Sequence, residues 1–277
     1  TKSADIEFEI DTMDGVTKWI LGSMNQSKTT NEFILVIHDI TQLRQLNSMR
    51  RDFISNVSHE LRTPVSVIRA NSETLLESAL EDKKQAKVFA NAILHNSERL
   101  TEMVTDLLDL SRIEHGELKL HIEKLNLQEC IDQSIDSLKN LGKKKNVVIK
   151  CKCPNKTQHV LADKKALERI LTNLIDNAFK YTEEDSVINI ATKTKHKDDN
   201  ILISITDSGK GIPDKDKLVI FDRFFRTAEA RASEKKGSGL GLAIVKNLVN
   251  SLNGDVGVKN APNNKGSQFW ITLPIAR

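Results

Sequence analysis

The sequence predicts a chain in three parts: a short β-rich stretch, a helical hairpin that pairs with a second copy into a dimeric four-helix bundle, and an α+β sandwich. Three observations predict this order: polar–apolar alternation near the start, a seven-residue apolar repeat, and mixed helix and strand patterns with glycine-rich loops. A length of 277 residues accommodates two domains. The 41 Lys and Arg nearly balance the 38 Asp and Glu, without a basic arm carrying aromatics, so nothing indicates a direct nucleic-acid partner.

The β-rich stretch spans residues 1–40. Polar and apolar residues alternate over Ile6–Ile10, and an apolar run follows at Phe33–Ile37. Forty residues are too few for an independent β domain, so we interpret the stretch as the last strands of a sensory domain. A small β subdomain that is complete in itself is the alternative.

The helical hairpin spans residues 41–118. We expect two charge-rich helices, opened by a cap at Asp39 or Thr41 and broken near Glu81–Asp82. The apolar positions that recur every seven residues are Ile54, Leu61, Ile68 and Leu75 on the first helix and Ile93, Leu100 and Leu107 on the second. Such repeats pack as supercoiled helices, and a single hairpin would leave much of its apolar seam in water, so we expect a homodimer.

The α+β sandwich spans residues 125–277 and combines one sheet with one helical layer. The expected helices are Gln128–Leu141, Asp163–Tyr181 and Leu240–Ser251. The expected strands are Val147–Lys152, Val187–Thr192, Ile201–Thr206, Asp255–Val258 and Ser267–Leu273.

The three cysteines are Cys130, Cys151 and Cys153. Their C-x-C spacing matches neither a redox C-x-x-C pair nor a zinc knuckle, so we interpret them as thiols without chemistry in a reducing compartment. No apolar run approaches the ~18 residues that span a bilayer. The chain begins at Thr1 without a methionine, and we expect it to be a trimmed piece of a longer protein.

His59 is expected on the exposed face of the first helix, five residues after the repeat position Ile54. A lone exposed histidine is most often a surface residue, but imidazole is largely neutral and nucleophilic at cellular pH, as a phosphoryl acceptor must be. Glu60 could accept the ring proton, and Thr63 lies one turn beyond His59 on the same face. Pro64 removes a backbone hydrogen bond just below them and should bend the helix.

A second group of polar residues lies on the predicted helix Asp163–Tyr181. Asn173 and Asn177 are four residues apart and share one face, with Lys180 and Tyr181 close behind. An amide oxygen suits Mg²⁺ and a lysine suits phosphate, while the chain lacks the G-x-x-x-x-G-K-[ST] phosphate loop. Two asparagines on a helix are more often surface or capping residues, so the pattern alone leaves both interpretations open.

Two glycine-rich loops follow. Asp207 comes directly after the strand Ile201–Thr206 and precedes Gly209 and Gly211, where the backbone can approach a ligand. A buried carboxylate there could accept the exocyclic amine of adenine. The second loop opens the last helix, whose first N–H groups face any anion there. Its candidate residues are Gly237, Gly239, Leu240 and Gly241. Tight turns explain most such glycine strings taken singly.

The segment Phe53–Pro64 resembles the H box of sensor histidine kinases residue for residue, and the phosphate-regulon type most closely. The resemblance implies that His59 is the phosphorylated residue, that Glu60 is its acid/base partner and that Thr63 supports phosphatase activity. The preceding Val36–Thr41 is similar to the end of a PAS domain that joins such a helix.

The later motifs, in their order along the chain, resemble the N, G1, F and G2 boxes of the ATP-binding fold shared by histidine kinases, type II topoisomerases, heat-shock chaperones and mismatch-repair ATPases. The resemblance assigns Asn177 to Mg²⁺, Asn173 and Lys180 to the phosphates, Tyr181 to the nucleotide and Asp207 to adenine.

The F box is carried by Phe221–Arg226, with Arg226 as its candidate phosphate contact. By the same resemblance, Thr227–Lys236 would be a lid over ATP. Ser267 stands where the family often has threonine, and its hydroxyl is kept.

The implied function is that of a sensor histidine kinase. Such an enzyme would use ATP and Mg²⁺ to phosphorylate His59, pass the phosphoryl group to an aspartate on a response-regulator receiver domain, and dephosphorylate that regulator. The resemblance implies a cytoplasmic portion, with a membrane reached only through a segment absent from this chain. The rival interpretations are an ATP-driven conformational machine, which would lack the H box, and a non-enzymatic dimeric scaffold whose boxes have decayed.

Overall fold

The computed structural model describes residues 3–26, 32–79, 82–139, 142, 145–153, 158–195, 199–232, 237–262 and 265–276. It divides into two compact units, Thr1–Thr63 and Pro64–Arg277, with one long helix running from the first into the second. Among the described residues, no helix combines the length and the apolar character needed to cross a membrane.

The first unit opens with an antiparallel three-stranded sheet in the order β1-β2-β3. Its strands are β1 (Ser3–Asp11), β2 (Thr17–Gln26) and β3 (Phe33–Asp39). The predicted strand character is therefore confirmed, and the intervening β2 completes the sheet. Every residue of β3 is exposed, including the apolar run Phe33–Ile37, so both faces of this strand are uncovered in the single chain.

Helix α1 (Thr41–Thr74) begins directly after the sheet. Its predicted cap is confirmed, because the Thr41 backbone N–H and hydroxyl donate to Asp39 Oδ1 at 3.0 and 2.6 Å. These two bonds lower the pKa of Asp39 to about 2. The Thr41 hydroxyl also accepts from the Trp19 backbone N–H at 2.9 Å, which ties the helix start to β2. Pro64 lies inside the helix, which remains helical on both sides of it.

The second unit contains the return helix of the predicted hairpin. A π-helical segment, Leu75–Ala79, follows α1, and helix α2 (Lys83–Glu114) starts after Asp82. Asp82 caps α2 by accepting from the backbone N–H groups of Lys84 and Gln85 at 2.8 and 3.3 Å. The predicted break is thus confirmed at Asp82, while Glu81 lies outside the described residues.

The rest of the second unit is the predicted α+β sandwich. Its main sheet has the order β5-β7-β8-β10-β9, and only the β5–β7 pair is parallel. The strands are β5 (Val148–Lys152), β7 (Val187–Lys195), β8 (Asn200–Thr206), β9 (Val256–Asn260) and β10 (Ser267–Pro274). A two-stranded sheet joins β4 (Glu123–Asn126) to β6 (His159–Ala162). These two short strands were not predicted.

The helical layer consists of α3 (Leu127–Ser137), α4 (Lys164–Tyr181), the short α5 (Ala228–Ala232) and α6 (Gly241–Ser251). Helix α4 packs against both α3 and α6. The core forms where its apolar face meets the sheet; fully buried members include Leu167, Ile170, Leu171, Ile175, Ile190, Ile203, Ile244 and Val249. The predicted end of α3 at Leu141 lies outside the described residues, and the described helix ends at Ser137.

Helix α2 packs against α6 of the sandwich. The buried residues of α2 are Asn96, Met103 and Leu110, which are themselves spaced by seven. Two ion pairs join α2 to the sandwich: Asp106 to Arg169, and Glu114 to Arg223. The sandwich and the second hairpin helix are therefore one packed body within the second unit.

Candidate functional site

His59 lies in the first unit, on α1, with an exposed side chain as predicted. Four residues further on, the Thr63 hydroxyl donates to the His59 carbonyl at 3.3 Å. This bond places the hydroxyl one helical turn from the imidazole, on the same side of α1. Glu60 is half-buried, whereas Thr63 is exposed. Solvent and a partner molecule can therefore reach both the ring and the hydroxyl.

The amide-bearing face of α4 lies against the start of α6. Asn173 Oδ1 is so close to Gly241 that a Cβ added there would sit 3.3 Å from it. Asn173 Nδ2 is buried and makes no hydrogen bond with the described residues. Such an unsatisfied buried donor costs roughly 1–3 kcal/mol, so a bound acceptor would relieve that cost. Asn177, one turn later, is half-buried.

Lys180 extends from the last turn of α4 and forms an ion pair with Asp176, with 2.5 Å between Nζ and Oδ2. Tyr181 follows and is 37% exposed. Lys145 is a residue of this end of α4 that the sequence did not predict. Its Nζ donates to the carbonyls of Phe179 and Lys180 at 2.7 and 3.2 Å, so a cation satisfies the negative end of the helix dipole.

Asp207 directly follows β8 and is 5% exposed. Its Oδ1 accepts from the backbone N–H groups of Gly209 at 2.8 Å and Ser267 at 3.1 Å, which orients the buried carboxyl group. A Cβ at Gly209 would lie 2.5 Å from the Tyr181 carbonyl oxygen, so only glycine lets this loop pass the end of α4. The neighbouring Ser208 hydroxyl is buried and has no hydrogen-bond partner among the described residues.

The second glycine loop is held against the predicted F box. The Phe224 backbone N–H donates to the Gly239 carbonyl at 3.0 Å, and both residues have positive φ, 60° and 73°. A Cβ at Gly239 would lie 2.8 Å from the Phe224 backbone. Leu240 is fully buried and anchors the loop, while Gly241 begins α6.

Three other predicted residues differ in their surroundings. Gly211 has φ 80° and packs against the Gly266 backbone, whereas a Cβ added at Gly237 would have no described residue within 4 Å. Arg226 is half-buried and donates from Nη2 to the Ala230 carbonyl, so in this conformation it binds the start of the predicted lid. Of the lid itself, α5 is described, and residues 233–236 lie outside the described part of the chain.

The four nucleotide motifs are thus linked by contacts within the second unit. Asn173 meets the start of α6, Gly209 meets the end of α4, and Gly239 meets the F box. An anion at the start of α6 would face its first backbone N–H groups and the Asn173 amide. The same unit supplies a buried carboxyl group, at Asp207, that could receive a base amine.

Two family models match the chain at these places. Residues 49–116 match the His Kinase A (phospho-acceptor) domain, and residues 162–277 match the histidine kinase-, DNA gyrase B- and HSP90-like ATPase. The first match contains His59, and the second contains all four nucleotide motifs.

The chain belongs to the sensor histidine kinases. The chain is 34% identical over 241 residues to the sensor histidine kinase WalK of Bacillus subtilis, covering 87% of this chain and 39% of that protein. It is also 34% identical to the sensor-like histidine kinase SenX3 of Mycobacterium bovis, covering 87% of this chain and 58% of that one. The chain therefore spans between two fifths and three fifths of the length of these relatives.

Solved structures agree with this assignment. The chain resembles the Acinetobacter baumannii histidine kinase AdeS with a TM-score of 0.65 and 25% identity, covering 79% of this chain and 98% of that one. It also resembles full-length ShkA in complex with AMPPNP, with a TM-score of 0.61 and 25% identity; the match covers 81% of this chain and 46% of that one. The helical hairpin followed by an α/β ATP-binding domain is thus a histidine kinase architecture.

Proposed function

We propose that this chain catalyses ATP-dependent phosphorylation of its own His59 and then transfers the phosphoryl group to an aspartate on a response-regulator receiver domain. The observation that carries the proposal is an exposed histidine in a phospho-acceptor domain, on the same chain as a set of contacting nucleotide motifs. The domain boundaries we propose for this division of labour are 41–118 for the acceptor hairpin and 125–277 for the ATP-binding domain.

ATP is the substrate that fits the second unit. The unsatisfied Asn173 amide and the first N–H groups of α6 are donors suited to phosphate oxygens. The buried carboxyl group of Asp207 is an acceptor suited to the adenine amine, and its orientation is fixed before the base arrives. Lys180 would exchange its bond to Asp176 for a phosphate, and the exposed Tyr181 would cover the nucleotide.

We propose Asn177 as the protein ligand of Mg²⁺, because its amide oxygen is a hard donor one turn from Asn173. Bound Mg²⁺ would neutralise phosphate charge during transfer. Replacing Asn177 by alanine should abolish Mg²⁺-dependent labelling of the protein, while thermal stability stays near that of the native chain because the residue is only half-buried. Retained labelling would remove Asn177 from the metal site.

The transfer step needs a neutral imidazole. The free ring nitrogen of His59 attacks the γ-phosphorus, a P–N bond forms, and the bond to the ADP oxygen breaks. The positive imidazolium that results must lose its ring proton, and Glu60, the next residue, is the proposed acceptor. Glu60→Gln should therefore slow labelling more than it weakens ATP binding, and equal losses in both would contradict the assignment.

Thr63 is proposed to support dephosphorylation of the regulator by holding the attacking water. Its hydroxyl already shares the His59 side of α1 and bonds only weakly to the helix, at 3.3 Å. Thr63→Ala should impair the phosphatase reaction and leave labelling of His59 largely intact. Thr63→Ser is the matched control, because it keeps the hydroxyl; equal loss of both reactions in Thr63→Ala would refute this division.

We also propose that the kinase acts as a homodimer through the hairpin. The supporting observation is the large apolar surface left exposed on both helices and on the π-helical segment between them, which includes Ile54, Leu76, Val88, Leu94 and Leu108. A four-helix bundle would cover such residues. Light scattering should therefore give twice the mass of 31.1 kDa, and a monomer at micromolar concentration would contradict it.

The first forty residues are proposed to be the end of a PAS-like sensory domain. The support is a three-stranded sheet with an uncovered apolar strand, joined to α1 through Asp39 and Thr41. The cytoplasmic location and the membrane anchor outside this chain remain expectations from the family resemblance.

The response-regulator partner is tested by adding a matched receiver domain to the labelled chain and measuring the transfer of label from His59.

A further inference from the structure

Cys151 and Cys153 form a close thiol pair at the end of strand β5. Their Sγ atoms lie 2.9 Å apart, and one thiol donates to the other. Both cysteines are free, and so is Cys130, which is buried on α3. Cys151 is exposed and Cys153 is partly exposed, so small reagents in solution can reach the pair. The nucleotide motifs and His59 use none of these three residues.

The C-x-C spacing produces this pair because of strand geometry. Residues two apart on a strand project from the same face and are separated by about 6.6 Å along the chain. That separation lies inside the range of about 4.4–6.8 Å over which disulfides are built. The C-x-C spacing matches no common redox motif of a helix or turn, but on an extended segment it suits the formation of a disulfide.

The position at the sheet edge leaves the pair room to move. Among the described strands, β5 pairs with β7 alone, and Cys151 is opposite Ile190 in that register. β5 ends at Lys152, so Cys153 lies just beyond the strand and no described ladder bond fixes it. The Sγ atoms need to approach by less than about 1 Å to reach bonding distance.

The two thiols are not equivalent. Cys151 is exposed as a residue, but its sulfur is partly shielded from water. This desolvation and the bond to Cys153 raise the pKa of Cys151 to about 12, so Cys151 keeps its proton. Gln128 Nε2 donates to Cys151 Sγ at 3.8 Å and holds that sulfur in place. Cys153 is therefore the sulfur that attacks an oxidant, with Cys151 as the second thiol beside it.

We propose that Cys151 and Cys153 are an oxidant-responsive site that forms an intrachain disulfide with a hydroperoxide. The Cys153 thiol loses its proton to solvent, its sulfur attacks the peroxide O–O bond and becomes a sulfenic acid, and the hydroxide that leaves takes up a proton to give one water. The Cys151 sulfur then attacks the Cys153 sulfur, and the sulfenic oxygen leaves as a second water that carries the Cys151 proton. Two thiols and one hydrogen peroxide yield one disulfide and two waters, so the sulfurs lose two electrons and the peroxide gains them.

The experiment treats the reduced full chain with hydrogen peroxide, removes the oxidant, and measures intact mass and thiol content. The expected product is about 2 Da lighter and, once denatured, reacts with maleimide at one cysteine instead of three. Dithiothreitol should restore all three. A non-reducing gel should show a monomeric band, because the bond lies within one chain.

Single serine variants supply the controls. Cys151→Ser and Cys153→Ser should each lose the 2 Da decrease, whereas Cys130→Ser should keep it, because Cys130 is buried elsewhere. The thermal stability of each variant confirms that it folds. Oxygen adducts on separate cysteines without the mass decrease, or a disulfide-linked dimer, would overturn the proposal.

Discussion

Gly239 offers the sharpest structural test of the nucleotide site, through the change Gly239→Ala. The residue has φ 73°, and an added Cβ would lie 2.8 Å from the Phe224 backbone, which cannot rotate away. The Phe224 N–H bond to the Gly239 carbonyl, 3.0 Å long, would lengthen or break. The F box and the start of α6 should therefore separate.

The expected loss in the free energy of unfolding is the sum of two contributions. Alanine in the left-handed region costs about 1–2 kcal/mol, and a smaller unfolded-state entropy returns roughly half of that. Loss of the backbone hydrogen bond and the forced shift add about 1–2 kcal/mol. The total, ~1.5–3 kcal/mol, predicts a fall in Tm of roughly 3–12 °C for a unit of this size.

Gly116→Ala is the matched control. Gly116 follows α2 with φ 68°, and no described residue lies within 4 Å of an added Cβ, so alanine there brings the backbone strain without the collision. Its Tm should fall by about 1–4 °C. Calorimetric ATP titration should show at least a tenfold weaker affinity for Gly239→Ala and an unchanged affinity for Gly116→Ala. Equal Tm losses and equal affinities would refute the steric argument.

Further predictions concern three carboxylates. Burial of Asp163 alone would raise its pKa, but hydrogen bonds from the backbone N–H of Ala166 and other N–H groups outweigh burial, so the pKa of Asp163 is lowered. Asp163→Ala should lower the free energy of unfolding by ~1–2 kcal/mol at pH 7. In denaturation series, this difference from the native chain should shrink as pH falls below ~4. Burial raises the pKa of Asp106 despite the nearby Arg169, so ionisation of Asp106 disfavours folding as pH rises. Asp106→Asn should therefore leave Tm nearly unchanged at pH 7, whereas Arg169→Ala should clearly lower Tm in thermal melts. Asp207→Asn keeps an oxygen for both backbone hydrogen bonds, so Tm should change little. Because it removes the carboxylate proposed to accept the adenine amine, ATP affinity should fall ~10-fold or more.

The sequence predicted most elements because their signals are local. The helix Asp163–Tyr181 is confirmed with Asp163 as its cap, and the strand at Ile201–Thr206 is confirmed to within one residue. The strands β4 and β6 were missed because four residues carry too little periodicity to distinguish a strand from a loop.

Contacts between distant segments could not be predicted. The seven-residue repeat indicated supercoiled packing, but the residues of α2 that are buried form a different row, which includes Met103 and Leu110. Helix α2 also packs against α6 of the sandwich. The ion pair between Asp106 and Arg169 joins residues 63 positions apart. No short-range pattern specifies such a pair, because it depends on how two packed surfaces align.

The site was predicted best where glycine or chemistry restricts the choice. Gly209 and Gly239 were singled out from their strings, and the structure gives each a backbone neighbour that excludes a side chain. Lys145 was missed, because one lysine in a basic run has no distinguishing signal until α4 ends beside it. The Cys151–Cys153 pair was likewise recognised only through its 2.9 Å separation.

The central claim, phosphorylation of His59 from ATP, is tested most directly by incubating the chain with γ-labelled ATP and Mg²⁺ beside His59→Gln. The account predicts protein-bound label that is acid-labile and alkali-stable, as phosphohistidine is, and that vanishes in His59→Gln. Because His59 is exposed, that variant should fold normally. Hydrolysis of ATP without any label on the native protein would contradict the account and favour a conformational ATPase.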